Sequence, residues 1–218
     1  MCFSIDSSKP RSAGAISLPS AWATSQGSLS IDLAPSLAAG MTDGLTYLEE
    51  FPYECVEQTI SRFLPNVLSV QALKLAGLSD PTLEANLRTQ VSTALQRLAN
   101  WQNPDGGWGW WADVSQTSDV QTSAYAVLGL LEAQRAGCTV SQGVLERGLE
   151  FLQSRVVFIG PFEDSSTLNR QAFVLYVLAR ADRPDISATV RLFDQRQSMA
   201  LYARAFLAHT LYRLDQAD

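Results

Sequence analysis

Cys55 and Gln58 stand three positions apart where the sequence predicts the start of a helix. Pro52 disfavours helix before it. Apolar residues then recur at the three- and four-residue steps of an amphipathic helix, at Val56, Ile60, Phe63, Leu64, Val67 and Leu68. Because residues at i and i+3 share a helix face, the thiol and the carboxamide are predicted to lie side by side.

This pair has the chemistry of an internal thioester. The unpaired N–H groups at a helix start favour the anionic thiolate, which is the nucleophilic form of cysteine. Attack of the Cys55 thiolate on the Gln58 carboxamide, with loss of ammonia, would join the two side chains. The alternative is an ordinary core cysteine beside a surface amide.

The flanking residues carry a family resemblance. Positions 52–59 read Pro-Tyr-Glu-Cys-Val-Glu-Gln-Thr and positions 61–65 read Ser-Arg-Phe-Leu-Pro. This stretch resembles the thioester domain of the α2-macroglobulin and complement family, in particular its bacterial branch. Segments within 27–48, 102–111 and 168–175 resemble the same family, so the resemblance covers most of the chain. Glu54 differs from most members, which have glycine there, and a side chain at this position would alter the tight backbone beside the thioester.

The resemblance implies a broad-spectrum protease trap of bacterial origin. In this family, cleavage of a bait region elsewhere in the parent chain exposes the thioester, and a lysine of the protease opens the acyl bond at Gln58. The implied protein is a single-turnover covalent endopeptidase inhibitor and not an enzyme. Its implied partners are target proteases and the other domains of the parent chain. Because the family is exported, we expect an excised part of a periplasmic, cell-envelope or extracellular protein, and we expect a monomer.

Two other functions remain open. One is an enzyme on the same fold, related to terpene cyclases, because Gln102 to Trp108 resembles the QW repeat of triterpene cyclases; their Asp-x-Asp-Asp type motif is absent. A deep apolar central cavity would favour it. The other is a thioester-silent protein-binding module, which an intact mass without loss of ammonia would favour.

The helical pattern predicts an all-α fold. Helices are predicted at 56–75, 82–101, 119–136, 141–154, 167–181, 186–195 and 198–214. Consecutive helices with short links form hairpins, and a repeat of about 45 residues favours a ring of such hairpins. The family's domain is an α/α toroid of helical hairpins, so this chain is expected to form an incomplete ring with an exposed seam. Apolar and polar residues alternate from Ser28 to Leu33, which predicts a β-strand within a short irregular N-terminal segment. We therefore expect residues 1–35 to be a linker and strand from a preceding CUB-like region, and residues 36–218 to be the thioester domain.

Composition excludes several classes of function. The 218 residues carry a formal charge of −6 without a basic cluster, which excludes a phosphate-backbone footprint and so a nucleic-acid partner. No apolar run approaches the roughly 18 to 20 residues that a membrane span needs. A single histidine, with no cysteine pair at ligand spacing, predicts neither a metal site nor a cofactor. Three cysteines are an odd number, which does not fit a framework of paired disulfides.

Further residues are predicted to support or shield the thioester. Glu57 belongs to the motif and is predicted to orient the Gln58 carbonyl or stabilise departing ammonia, with a capping or surface role as the alternative. An acyl group of this reactivity must be kept dry, and the predicted shields are Tyr53, Trp108, Trp110 and Trp111. The alternative is a core tyrosine and a tight turn whose indoles cap the end of the ring.

The sequence predicts direct aminolysis. Family members that transfer efficiently to hydroxyl groups use a histidine that first accepts the acyl group. The corresponding stretch here, Val157 to Ser166, contains no histidine, and His209 is predicted to be structural or at the surface. We therefore expect amines to be strongly preferred over hydroxyls.

Overall fold

The fold is described from a computed structural model, which covers residues 55–75, 81–111, 117–160 and 163–215. These ranges contain seven α-helices and a short 3₁₀ helix, Arg196–Ser198. The α-helices are α1 (Val56–Leu75), α2 (Pro81–Asn100), α3 (Val120–Arg135), α4 (Gln142–Ser154), α5 (Ser165–Arg180), α6 (Ile186–Asp194) and α7 (Leu201–Asp215). Each helix predicted from the sequence is present, with ends that differ by a few residues. The predicted strand and N-terminal segment lie outside the described residues.

The helices are arranged in two rows. The inner row contains α1, α3, α5 and α7, which lie side by side in that order, while α2, α4 and α6 pack behind α1, α3 and α5. Short links make consecutive helices from α3 to α7 antiparallel, and the loop between α2 and α3 bonds through its backbone to both Val56 and Asp119. The inner helices therefore share one direction, and their N-termini meet at one end. We call it the motif end, since Cys55 lies there, and the opposite end the far end. This alternation of rows confirms the predicted α/α toroid.

Aspartate caps fix where three of these helices begin. The side chains of Asp119, Asp164 and Asp185 accept hydrogen bonds from backbone N–H groups in the first turns of α3, α5 and α6. These bonds satisfy donors that have no partner within the helix. Hydrogen bonds from Ser166 and Thr167 hold the pKa of Asp164 well below its usual range.

Trp108 fixes the loop between α2 and α3 in the core. Its side chain is fully buried, and the indole N–H donates to the carbonyl of Leu98 in α2 at 2.8 Å. Its backbone N–H donates to the hydroxyl of Ser123 in α3, also at 2.8 Å. The ring lies against Gly148 of α4, where an added Cβ would be 3.0 Å from the Trp108 ring. One residue, through its side chain and its backbone, therefore holds the loop against three helices.

The same loop is clamped at its beginning by Gln102. The Gln102 amide donates to the carbonyl of Gly106 at 2.8 Å and to that of Val144 at 2.9 Å. Gly106 has a φ of +89°, and a Cβ there would lie 2.4 Å from the Arg147 carbonyl oxygen. Only glycine fits this position, because both the backbone conformation and the close approach exclude a side chain.

An ion cluster joins the inner row at the far end. The buried Glu132 carboxylate of α3 pairs with Arg135 at 2.7 Å and with Arg180 of α5. Both arginines lie in the last turns of their helices, where the helix dipole favours a cation. Arg213 of α7 donates to the Ala179 carbonyl at 3.1 Å, so α7 is attached to the same end of α5.

Within the described ranges, no helix combines the length and the apolar character that a membrane span requires.

Candidate functional site

Cys55 is the N-cap residue of α1. The helix begins at Val56, and the Thr59 N–H donates to the Cys55 carbonyl at 3.0 Å, which is the first bond of the helical ladder. Gln58 is therefore the third residue of the helix. This is the spacing at which an N-cap side chain and a glutamine can satisfy each other's backbone N–H groups.

Reciprocal hydrogen bonds join these two residues. The Gln58 N–H donates to the Cys55 Sγ at 3.4 Å, and the Cys55 N–H donates to the Gln58 Oε1 at 3.3 Å. This is the geometry of a capping box in which cysteine takes the place of serine or threonine. The sulfur and the carboxamide thus lie on the same side of the first turn, as thioester formation requires. The covalent bond itself remains a prediction.

The two backbone donors face the atoms that would carry charge in the reaction. The Gln58 N–H lies against the sulfur, the atom that would attack the carboxamide. The Cys55 N–H lies against Oε1, the oxygen that becomes negative when a nucleophile adds to the carboxamide carbon. Both donors belong to the first turn of α1, so the helix start supports nucleophile and electrophile together.

Cys55 is almost closed to solvent. Only 5% of Cys55 is exposed, and Val56, which follows it, is fully buried. The Val56 N–H donates to the carbonyl of Trp110 at 3.1 Å, which attaches the loop between α2 and α3 to the start of α1. Water therefore has little access to the sulfur, and the tryptophan-rich loop contributes to this site through its backbone.

The three tryptophans of that loop occupy different environments. Trp108 is fully buried and takes the core role described above, whereas Trp110 and Trp111 are 55% and 61% exposed. Trp110 reaches the motif through its carbonyl, and its indole and that of Trp111 face outward. Tyr53 and Glu54 lie outside the described residues. Shielding by the loop indoles remains a prediction.

Glu57 connects α1 to α3 through two hydroxyl groups. The Ser61 hydroxyl donates to the Glu57 carboxylate at 2.7 Å, and the Ser61 and Tyr125 hydroxyl oxygens lie 3.2 Å apart. Burial raises the pKa of Tyr125 and the Glu57 charge acts in the same direction, while the hydrogen bond to Ser61 acts against them. Sequence analysis missed Ser61 and Tyr125. The i, i+4 spacing of Glu57 and Ser61 was a visible signal, but Tyr125 is 64 positions from Ser61.

His209 belongs to the far end of the inner row. It lies on an exposed face of α7, with its ring edge-to-face with Tyr176 at 5.1 Å. Partial burial and the nearby charges of Arg180 and Arg213 lower its pKa. Those arginines stand in the last turns of α5 and α7, away from the N-terminus of α1. Among the described residues, no cluster of three or more histidine, cysteine or acidic side chains could hold a metal ion.

The fold defines a helical-toroid domain, and the Cys55–Gln58 pair lies at the start of its first described helix. The profile of one family, the A-macroglobulin TED domain, matches residues 28–175. The chain belongs to this family. Its relatives include the α2-macroglobulin of Thermotoga maritima, which is 35% identical over 127 residues, or 58% of this chain and 8% of the relative.

Solved structures of Escherichia coli α2-macroglobulin share the fold. The native protein from domain MG7 to its C-terminus superposes with a TM-score of 0.64 at 25% identity, over 79% of this chain and 28% of that one. The trypsin-activated protein gives a TM-score of 0.61 at 26% identity, over 75% of this chain and 12% of that one. The sequence described here therefore corresponds to a small part of the length of these relatives.

Proposed function

We propose that this domain carries an internal thioester between Cys55 Sγ and the Gln58 side-chain carbon, and that it serves a larger protein that traps proteases covalently. The observation that carries the proposal is the pair of reciprocal hydrogen bonds between Cys55 and Gln58, at 3.3 and 3.4 Å. Membership of the TED family supports the same role. The thioester would join two side chains that already lie within one turn of helix.

Bond formation uses the groups of the first turn. The thiolate adds to the Gln58 carboxamide carbon, the negative charge that develops on Oε1 is stabilised by the Cys55 N–H, and the bond to the amide nitrogen breaks. The nitrogen leaves as ammonia after taking up the proton of the thiol. The low exposure of Cys55 then protects the acyl group from hydrolysis.

Opening of the thioester consumes the protein once. A primary amine attacks the Gln58 carbonyl carbon, the bond to sulfur breaks, and the products are an amide at Gln58 and a free Cys55 thiol. No step restores the thioester, so the domain is a single-turnover inhibitor component and not an enzyme. Since the stretch from Val157 to Ser166 has no histidine, the amine attacks directly and hydroxyl compounds react poorly.

The trigger and the target belong to the parent protein. The E. coli relative of known structure exists in a trypsin-activated form, which supports a protease as the activating partner. In this proposal, cleavage of a bait region exposes the thioester, and a lysine of the protease is acylated at Gln58. The other domains of the parent chain control access, and the protein acts in the periplasm or at the cell envelope of a bacterium.

Intact mass spectrometry of the full-length parent tests the proposal. The untreated protein is expected to be lighter than its sequence by one ammonia, and treatment with methylamine is expected to add one methylamine and release one titratable thiol. Glycerol at the same concentration should leave the mass unchanged. An untreated mass equal to that of the sequence, with no gain on adding methylamine, would refute the thioester.

Two cysteine variants provide matched controls. Cys55→Ala removes the nucleophile and is expected to restore the sequence mass and abolish the reaction. Cys138→Ala removes the other described cysteine and is expected to leave both the ammonia loss and the methylamine reaction intact. If Cys55→Ala still reacted with methylamine, the measured thiol would not be that of Cys55.

A further inference from the structure

The hydrogen bonds around Glu57 have a defined direction. The Ser61 hydroxyl has one proton, and it is donated to the Glu57 carboxylate at 2.7 Å. The Ser61 oxygen can then only accept from Tyr125, so the Tyr125 hydroxyl is the donor across the 3.2 Å contact. The chain runs from the Tyr125 hydroxyl through the Ser61 hydroxyl to the Glu57 carboxylate. Two neutral dipoles thus point toward a single negative charge.

The chain is anchored in two helices of the inner row. Glu57 and Ser61 lie in the first two turns of α1, and Tyr125 lies in the second turn of α3, which packs directly against α1. The raised pKa of Tyr125, caused mainly by burial, keeps its hydroxyl protonated and able to donate. Both Glu57 and Tyr125 are half-buried, so a small molecule can still reach the carboxylate.

The interaction of the Glu57 carboxylate with the helix dipole does not explain its hydrogen bonds to Ser61 and, through Ser61, to Tyr125. An acidic residue in the first turn of a helix interacts well with the dipole without any further partner. Here a serine of the next turn and a tyrosine of another helix are added, and both are directed at the carboxylate that immediately precedes Gln58. The carboxylate is therefore held at a fixed point of the reactive turn.

We propose that Ser61 and Tyr125 are positioning residues that hold the Glu57 carboxylate as the acceptor for the ammonium group of the attacking amine. This inference rests on the proposed thioester function. Primary amines such as lysine are almost wholly protonated at neutral pH, and an ammonium has no lone pair with which to attack. A carboxylate fixed in the same helical turn as Gln58 both attracts the cation and accepts its proton.

The proton and bond balance is complete without another reactant. The ammonium transfers one proton to the Glu57 carboxylate and becomes a neutral amine. Its nitrogen forms a bond to the Gln58 carbonyl carbon, and the bond from that carbon to sulfur breaks with its electron pair on sulfur. The second nitrogen proton passes to the thiolate, which leaves a thiol and an amide. The protonated Glu57 then returns its proton to solvent.

The test compares a cationic with a neutral nucleophile on the full-length parent. Methylamine is mostly protonated at neutral pH, whereas hydroxylamine is mostly neutral and does not need a proton acceptor before it attacks. Tyr125→Phe and Ser61→Ala are expected to slow thiol release by methylamine roughly tenfold, a small part of what general base catalysis supplies. They are expected to leave the hydroxylamine rate within about twofold of the unsubstituted protein. Ser61→Thr keeps the hydroxyl and is expected to keep both rates.

Each alternative outcome has a distinct meaning. If a variant slows both nucleophiles equally, or neither, the positioning role is wrong. Intact mass shows by the loss of ammonia whether each variant has formed its thioester. If Tyr125→Phe has not formed it, the rates of Ser61→Ala and Ser61→Thr decide whether the hydroxyl chain positions Glu57. If the unsubstituted protein loses no ammonia, the proposed function itself fails, and this inference fails with it.

Discussion

Replacing Gly148 with alanine is expected to destabilise the domain, although alanine is the better helix former. In the interior of a helix, this change alone gains about 1 kcal/mol. At this position, however, the new Cβ would lie 2.8 Å from Val127 Cγ2 and 3.0 Å from the ring of Trp108. Both neighbours are fully buried and cannot move outward. Overpacking of this kind costs about 1–3 kcal/mol.

A second glycine of α4 supplies the matched control. The nearest atom to a Cβ at Gly143 is the flexible end of Arg147, at 3.6 Å. Gly143 is the second residue of α4, so Gly143→Ala gains at most the propensity that Gly148→Ala gains, and it has no clash. Gly148→Ala should therefore be less stable than Gly143→Ala by up to about 3 kcal/mol.

Denaturant unfolding of the two variants measures this difference, and thermal unfolding should show it as about 2–4 °C in Tm for each kcal/mol in a domain of this size. If Gly148→Ala is as stable as Gly143→Ala, then Trp108 is not packed against α4 as described. The reasoning about how the tryptophan-rich loop is held against α1 would fail with it.

Three further changes have expected outcomes. Cys55→Ser and Cys55→Ala should both abolish the ammonia loss seen by mass spectrometry, but only the alanine variant should lose about 1 kcal/mol of unfolding free energy, because serine can still cap α1. Arg180→Met leaves the buried Glu132 carboxylate with one of its two cationic partners and should cost about 1.5–3 kcal/mol in denaturant unfolding; an effect within error would contradict the ion cluster. The lowered pKa of His209 means that the unfolded chain binds a proton more readily than the folded one, so stability should fall as pH drops from the unfolded-state pKa to the folded-state pKa. NMR titration should place the pKa below the ordinary histidine value, and His209→Gln should remove this part of the pH dependence.

The helices were predictable because each depends on local sequence. The apolar period of α1 and the aspartates that precede α3 and α6 are visible without any knowledge of the fold. The proximity of Cys55 and Gln58 was predictable for the same reason, since both lie within one turn. Their capping-box hydrogen bonds were not predicted, because cysteine is not among the usual N-cap residues.

Contacts between helices were not accessible in the same way. Tyr125 meets Ser61 only because α1 and α3 are neighbours in the inner row, and Tyr125 belongs to none of the segments that carried the resemblance. The three tryptophans of one loop looked equivalent in the sequence, yet Trp108 is fully buried while Trp110 and Trp111 are exposed. The direction of each indole depends on the path of the loop between α2 and α3, which the composition of the loop does not specify.

The capping box at the start of α1 also bears on the state that would follow opening of the proposed thioester. In the unlinked pair, the Gln58 N–H donates to the Cys55 Sγ at 3.4 Å and the Cys55 N–H donates to the Gln58 oxygen at 3.3 Å. These two hydrogen bonds would close the helix end without the covalent bond, so opening of the thioester would not by itself loosen the first turn of α1. A target acylated at Gln58 would then stay attached to an ordered helix.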